Sequence, residues 1–138
     1  GKTELVKLLL RKGADKEALD KFGFTPLFVA VVCYQVSSAL ALLAAGADVT
    51  RGCEVKKYVV VHMAARLGHV ELLRAVIERG ADVDAVDWEK STPLFYAAKS
   101  NKPEAIDVLV EAGANLESAT TGGSTPLHRA AAESSPEA

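Results

Sequence analysis

Thr125-Pro126-Leu127-His128-Arg129-Ala130-Ala131 opens with three residues that recur as Thr25-Pro26-Leu27 and Thr92-Pro93-Leu94. A second marker runs in phase with them: Gly13-Ala14-Asp15, Gly46-Ala47-Asp48, Gly80-Ala81-Asp82 and Gly113-Ala114-Asn115, with glycines 33, 34 and 33 residues apart. Between the first two Thr-Pro-Leu copies the register predicts another near residue 59. The chain there reads Val59-Val60-Val61-His62-Met63-Ala64-Ala65, with one residue inserted between Asp48 and Val59. Two independent markers sharing one period identify an internal repeat.

Elementary chemistry assigns a shape to each unit. A threonine hydroxyl before proline can cap the free N–H groups of a helix, and proline suits the first helical position. A short helix follows, as over residues 94–100. A second helix carries apolar residues at helical spacing, as in Leu72, Leu73, Val76 and Ile77, or Ile106, Leu109 and Val110. Pro103 fits the start of one such helix, and Gly13, Gly46, Gly80 and Gly113 fit their ends. About a dozen turn-forming residues lead to the next unit. One helix pair cannot bury its apolar face alone, so the units must stack.

The pattern resembles the ankyrin repeat, with its period of 33 and its signature T-P-L-H-x-A. The best matches are Thr125 to Ala131 and the run from His62 to Leu73. The resemblance covers the whole chain and implies an all-α repeat solenoid of stacked helix-turn-helix units with projecting β-hairpin fingers. On that frame 1–19 is the second helix of a partial repeat, and 20–52, 53–86 and 87–119 are whole repeats, the middle one with a one-residue finger insertion. Residues 120–138 then supply the first helix of another partial repeat. Gly1 to Val6 aligns with Gly68 to Leu73, and Pro136 follows Thr125 by 11 residues as Pro103 follows Thr92. The expectation is therefore a segment of a longer protein, with Leu5, Leu8 and Leu9 lacking the helix that should cover them.

Composition narrows the function. The 138 residues carry 16 Lys+Arg against 18 Asp+Glu, a net charge of −2 that gives no reason to expect a polyanionic partner. With 49% apolar and 25% charged residues the chain is of the folding kind. Its 23 alanines against eight aromatics suit backbones that approach closely. Cys33 and Cys53 cannot form a disulfide framework, which favours a reducing, intracellular and cytoplasmic setting. No apolar run is long enough to span a bilayer, and nothing at the start resembles a signal peptide.

Catalytic and metal signatures are missing. No His/Cys pair has zinc-ligand spacing, no HExxH occurs, and no nucleophile–base arrangement is suggested. Gly1-Lys2-Thr3 is the tail of a phosphate-loop motif without its earlier glycine or strand, and the repeat alignment explains it. The resemblance gives His62 and His128 a structural role in bonding neighbouring turns, and His69 sits at the step between two helices. Lys56-Lys57-Tyr58 reads as a solvated loop rather than a phosphate contact. The expectation is a non-enzyme without metal, cofactor, small-molecule substrate, nucleic acid or inserted membrane segment.

The resemblance also implies where a protein partner docks: finger tips and exposed positions of the first helices, lining a concave surface. Carried onto this chain, these are Leu19, Lys21, Phe22 and Phe24; Cys53, Lys56, Lys57 and Tyr58; Val86, Trp88, Glu89 and Ser91; and Ala119, Thr121, Gly122 and Ser124. The helix positions are Val32, Cys33, Arg66, Leu67, Lys99, Ser100, Ala132 and Glu133. Trp88, Phe22 and Phe24 read as aromatic anchors of the kind that dominate interfaces, or as rings folded back on neighbouring fingers. The second finger lacks the Thr-Pro start, so its unit is expected to be the weakest. Residues 1–69 sum to +4 and 70–138 to −6, with Asp82, Asp84, Asp87 and Glu89 on the third finger. That gradient either orients a partner or is a solvated acidic face. The functional expectation is a protein–protein interaction module, the alternative being a regulatory segment of a larger enzyme or membrane channel.

Overall fold

The structure is a computed structural model that describes residues 2–133. Its elements are α1 (Lys2–Arg11), α2 (Pro26–Val32), α3 (Val36–Ala44), β1 (Gly52–Cys53), β2 (Tyr58–Val59), α4 (Val60–Leu67), α5 (Val70–Glu78), α6 (Pro93–Lys99), α7 (Pro103–Glu111) and α8 (Pro126–Glu133). It is the stacked helix-turn-helix solenoid that the repeat implies.

The Thr-Pro starts act as caps. Thr25 Oγ1 accepts the Phe28 N–H at 3.2 Å, Thr92 Oγ1 the Phe95 N–H at 3.2 Å, and Thr125 Oγ1 the His128 N–H at 3.3 Å. Each satisfies a donor that the first turn leaves free. The second helices α3, α5 and α7 each follow a residue in the left-handed region: Tyr34 (φ 58°), Gly68 (φ 74°) and Asn101 (φ 56°). His69 then caps α5, its Nδ1 accepting the Leu72 N–H at 3.2 Å. The glycines of the second marker end these helices with φ between 86° and 97°, where a side chain would be strained.

Packing forms two layers. First helices run α2–α4–α6–α8, second helices α1–α3–α5–α7, and turns join the pairs. The interior contains Leu27, Leu43, Leu72, Leu73, Leu94 and Leu109, all fully buried, each contributing roughly 1.5–3 kcal/mol by its removal from water. Ala39, Ala64, Ala65, Ala97 and Ala105 lie wholly inside, so the alanine excess sits where helix backbones meet. The stack thins at its ends. No residue of α1 is fully buried, and Leu127 of α8 is 77% exposed.

The fingers differ from the simple hairpin expectation. Among the described residues only the second has a strand pair, β1 with β2 antiparallel, Gly52 facing Val59 and Cys53 facing Tyr58. In the others a shorter backbone turn, as Asp87 N–H to the Ser91 carbonyl at 3.1 Å, is reinforced by a polar side chain. Asp20 Oδ1 accepts the N–H groups of Phe22 (2.8 Å) and Phe24 (3.0 Å), and Thr120 Oγ1 accepts that of Ser124 (3.2 Å). Asp87 Oδ1 accepts those of Glu89 and Ser91, both at 2.9 Å. The second finger has no acid at that place and closes through its backbone.

Candidate functional site

The second, third and fourth fingers are tied into a common rim. The Trp88 N–H donates to the Lys56 carbonyl at 3.0 Å, joining the third finger to the second. The Glu89 carbonyl accepts from both the Thr121 N–H (2.8 Å) and its hydroxyl (2.9 Å), joining the fourth to the third. Among the described residues no comparable bond joins the tip of the first finger to the second. Their link lies lower, where Glu17 Oε2 accepts the Asp48 N–H at 2.9 Å.

Beneath the rim lies a buried polar cluster. His62 Nδ1 accepts the Val59 N–H at 3.0 Å, so the ring proton sits on Nε2. That N–H faces the carbonyls of Ala85 (2.8 Å) and Ser91 (3.2 Å) in the next unit. Burial holds the imidazole below its ordinary pKa and keeps it neutral, although these carbonyls and nearby Asp87 pull the other way. Tyr96 donates its hydroxyl to Asp87 Oδ2 at 2.5 Å. Burial raises the Tyr96 pKa, as does this bond to a carboxylate. Tyr58 stands edge-on to Tyr96, centroids 5.6 Å apart. The role inferred for His62 is therefore carried by specific bonds to the next unit, while the bonds of His128 run to Thr125 in its own turn. Asp87 leaves the acidic face on which the sequence had placed it, because its carboxylate points inward to build the turn.

Most of the candidate contact residues stand on the surface. Leu19, Lys21, Phe22, Val32, Cys33, Lys57, Arg66, Val86, Trp88, Glu89 and Lys99 are exposed. Phe22 and Trp88 leave 66% and 58% of their areas open to solvent, and Lys21 Nζ lies 5.1 Å from the Phe22 ring centre. Three residues face inward instead. Ser91 is 3% exposed, held between Asp87 and His62. Phe24 packs on Phe28, centroids 4.9 Å apart, and Tyr58 packs against the core. Of the two readings of the aromatic rings, folding back describes Phe24. Trp88 makes no aromatic ring contact among the described residues.

Two further features lie outside the positions expected from the repeat. Tyr34 is exposed and in the left-handed conformation, at the place where the aligned unit has Gly68; that alignment would have revealed it. A cavity of about 340 Å³ opens between α4 and α6, lined by Tyr58, Met63, Arg66, Tyr96, Lys99 and Ser100. A separate apolar groove of about 410 Å³ lies among α1, α2 and α3, at the end of the stack. Among the described residues no three His, Cys, Asp or Glu side chains gather as a metal requires, and no helix is long and apolar enough to cross a membrane.

Comparison with known proteins agrees with the architecture. Residues 61–138 match the family described as "Ankyrin repeats (3 copies)". The chain is 34% identical to the mouse B-cell lymphoma 3 protein homolog over 102 residues, which is 71% of this chain and 23% of that protein. It is likewise 34% identical to dog inversin over 98 residues, 71% of this chain and 9% of the relative. Identity is again 34% to a Caenorhabditis elegans homolog of transient receptor potential cation channel subfamily A member 1, over 101 residues, 73% of this chain and 8% of the relative. The chain thus spans less than a quarter of the length of these curated relatives.

Proposed function

The chain belongs to the ankyrin-repeat family, and on that premise we propose that it is a non-catalytic module that holds a protein partner on its finger tips and first helices. Ankyrin repeats are generally protein-interaction modules and typically lack catalysis. The observation that carries the finer reading is Trp88. Its indole is mostly exposed, yet its backbone is pinned to Lys56, and the adjoining Glu89 to Thr121. A large aromatic group presented on a rigid rim costs little ordering on binding, which is what favours interface anchors. Phe22 offers a second exposed aromatic ring on the first finger. The concave first-helix positions Val32, Cys33, Arg66 and Lys99 complete the proposed surface.

Affinity capture with chemical cross-linking, comparing the intact chain with Trp88→Ala and Phe22→Ala, tests the reading. The expected result is a captured protein cross-linked at the rim, bound at least about 2 kcal/mol more weakly by Trp88→Ala, the scale of a hot spot. The variant should melt as the parent does. A loss no larger than that of a Lys12→Ala control overturns the role of Trp88. Phe24 is unsuitable for this test because it packs inward.

A second reading is that the chain regulates a larger protein in cis, as part of an enzyme or channel. The similarity to a relative named as a cation channel subunit supports it. It predicts that the cross-linked partner is another segment of the same polypeptide.

A further inference from the structure

We infer that the hollow between α4 and α6 seats a carboxylate side chain of the partner, so that this surface selects an acidic, extended protein segment. The inference rests on the protein-docking reading above. Arg66 in the last turn of α4 and Lys99 in the last turn of α6 are aligned one repeat apart and border the same cavity of about 340 Å³. The ion pairs among the described residues are Lys7–Glu4, Lys57–Glu54 and Arg74–Glu111, and none uses either cation. Each helix end carries partial negative charge that keeps a nearby cation favourable. The two charges are thus retained side by side without an anion between them.

The hollow has no acid of its own to fill that role. Asp87, the nearest buried carboxylate below it, spends Oδ1 on two turn amides and has Oδ2 covered by the Tyr96 hydroxyl. The Tyr58 and Tyr96 rings, edge-on to one another, line the cavity beside both cations. A guanidinium matches a carboxylate through two parallel N–H bonds, and the ammonium beside it adds a third donor. Arg66 also borders the next hollow, where Val32, Tyr34 and Leu67 offer apolar surface and Lys102 another cation. A partner residue next to the acid therefore meets an apolar neighbour. A long polyanion fits poorly, because exposed Asp82 and Glu89 stand on the adjoining finger and the chain is net negative.

Titration of the 15N-labelled chain with end-blocked hexaglutamate, hexaglutamine and a 12-base-pair DNA duplex, followed by amide chemical shifts, tests this. Hexaglutamate should move the amides around Arg66 and Lys99, and hexaglutamine should not. Arg66→Gln with Lys99→Gln should weaken the acidic peptide by about tenfold or more, as loss of charge-assisted hydrogen bonds does, while Lys12→Gln leaves it unchanged. Equal binding of the two peptides overturns the inference without needing any variant. So does no shift with hexaglutamate, an undiminished double variant, or tighter binding of the duplex at the same residues. If this titration fails while Trp88→Ala still weakens the captured partner, only the carboxylate assignment falls. If Trp88 also proves neutral, the docking surface itself falls.

Discussion

The second and third fingers perform the same structural task with different chemistry. In the third, Thr92 caps α6, the Asp87 carboxylate holds the turn, and Lys90 takes the left-handed position at φ 62°. In the second, a valine stands at the cap, no acid holds the turn, and Lys57 takes the left-handed position at φ 61°. The inserted residue lengthens that finger enough for a backbone ladder, β1 with β2, to close it. His62 Nδ1 accepts the Val59 amide from inside the helix, as His128 Nδ1 accepts that of Thr125, but no side chain caps the His62 N–H that a threonine would meet. The lesson is that a finger turn can close by a longer backbone ladder as well as by a carboxylate, whereas the helix start that follows goes without its side-chain cap. An unconventional finger is then not simply a decayed one.

Substitutions can break this comparison. The largest effect is expected from Asp87→Ala, which strands the buried Ser91 amide, the part-buried Glu89 amide and the Tyr96 hydroxyl. Each unmet buried group costs about 1–3 kcal/mol, so urea denaturation should show a loss of roughly 3 kcal/mol or more. A loss below that of an ordinary surface substitution would show that the third finger does not depend on its carboxylate. Gly52→Ala is the matching attack on the second finger. An added Cβ would lie 2.0 Å from the Tyr58 carbonyl oxygen, backbone that can yield only by parting the ladder. A loss of about 2 kcal/mol is expected, within the range for overpacked sites, with faster amide exchange at 52–59. Unchanged exchange there would mean that the ladder is not what supports this finger.

His62 gives a pH test of the bond between the two units. Its folded pKa is lowered from 6.5 by burial, so the unfolded chain binds the proton more readily. The stabilisation it contributes is complete above about pH 6.5 and is lost as pH falls from there toward the lowered value. Urea midpoints between pH 7.5 and 5.5 should decline in the parent, and His62→Gln should flatten that slope. An equal slope in the variant would place the titration elsewhere.

The smallest effect sharpens the comparison rather than breaking it. Val59 has the extended backbone of a cap, φ −118° and ψ 174°, as Thr92 does. Val59→Thr should therefore let a hydroxyl accept the His62 N–H and raise stability by about 1 kcal/mol. A thermal melt that does not rise would show that the uncapped His62 N–H costs this helix nothing.

Much of this was readable from the residues. The in-phase Gly-Ala-Asp and Thr-Pro-Leu markers determined the helix pairs, because caps, proline starts and glycine ends act over three or four residues. The exposure of Trp88, Arg66 and Lys99 followed from their places in the repeat. Ser91, Phe24 and Asp87 did not, since alternate residues of a short finger turn in or out according to the unit stacked beside it. An aspartate near a turn tip looks solvated until Tyr96, nine residues on, closes over it. The spacing of 33 places Arg66 and Lys99 on neighbouring first helices, but the cavity they share is seen only in the structure. The sequence alone determined the period, the helices and their ends, all local consequences of backbone hydrogen bonding. Which polar groups were buried and which charges stand together without partners was decided only by tertiary structure, because burial and electrostatics depend on neighbours that lie a repeat away.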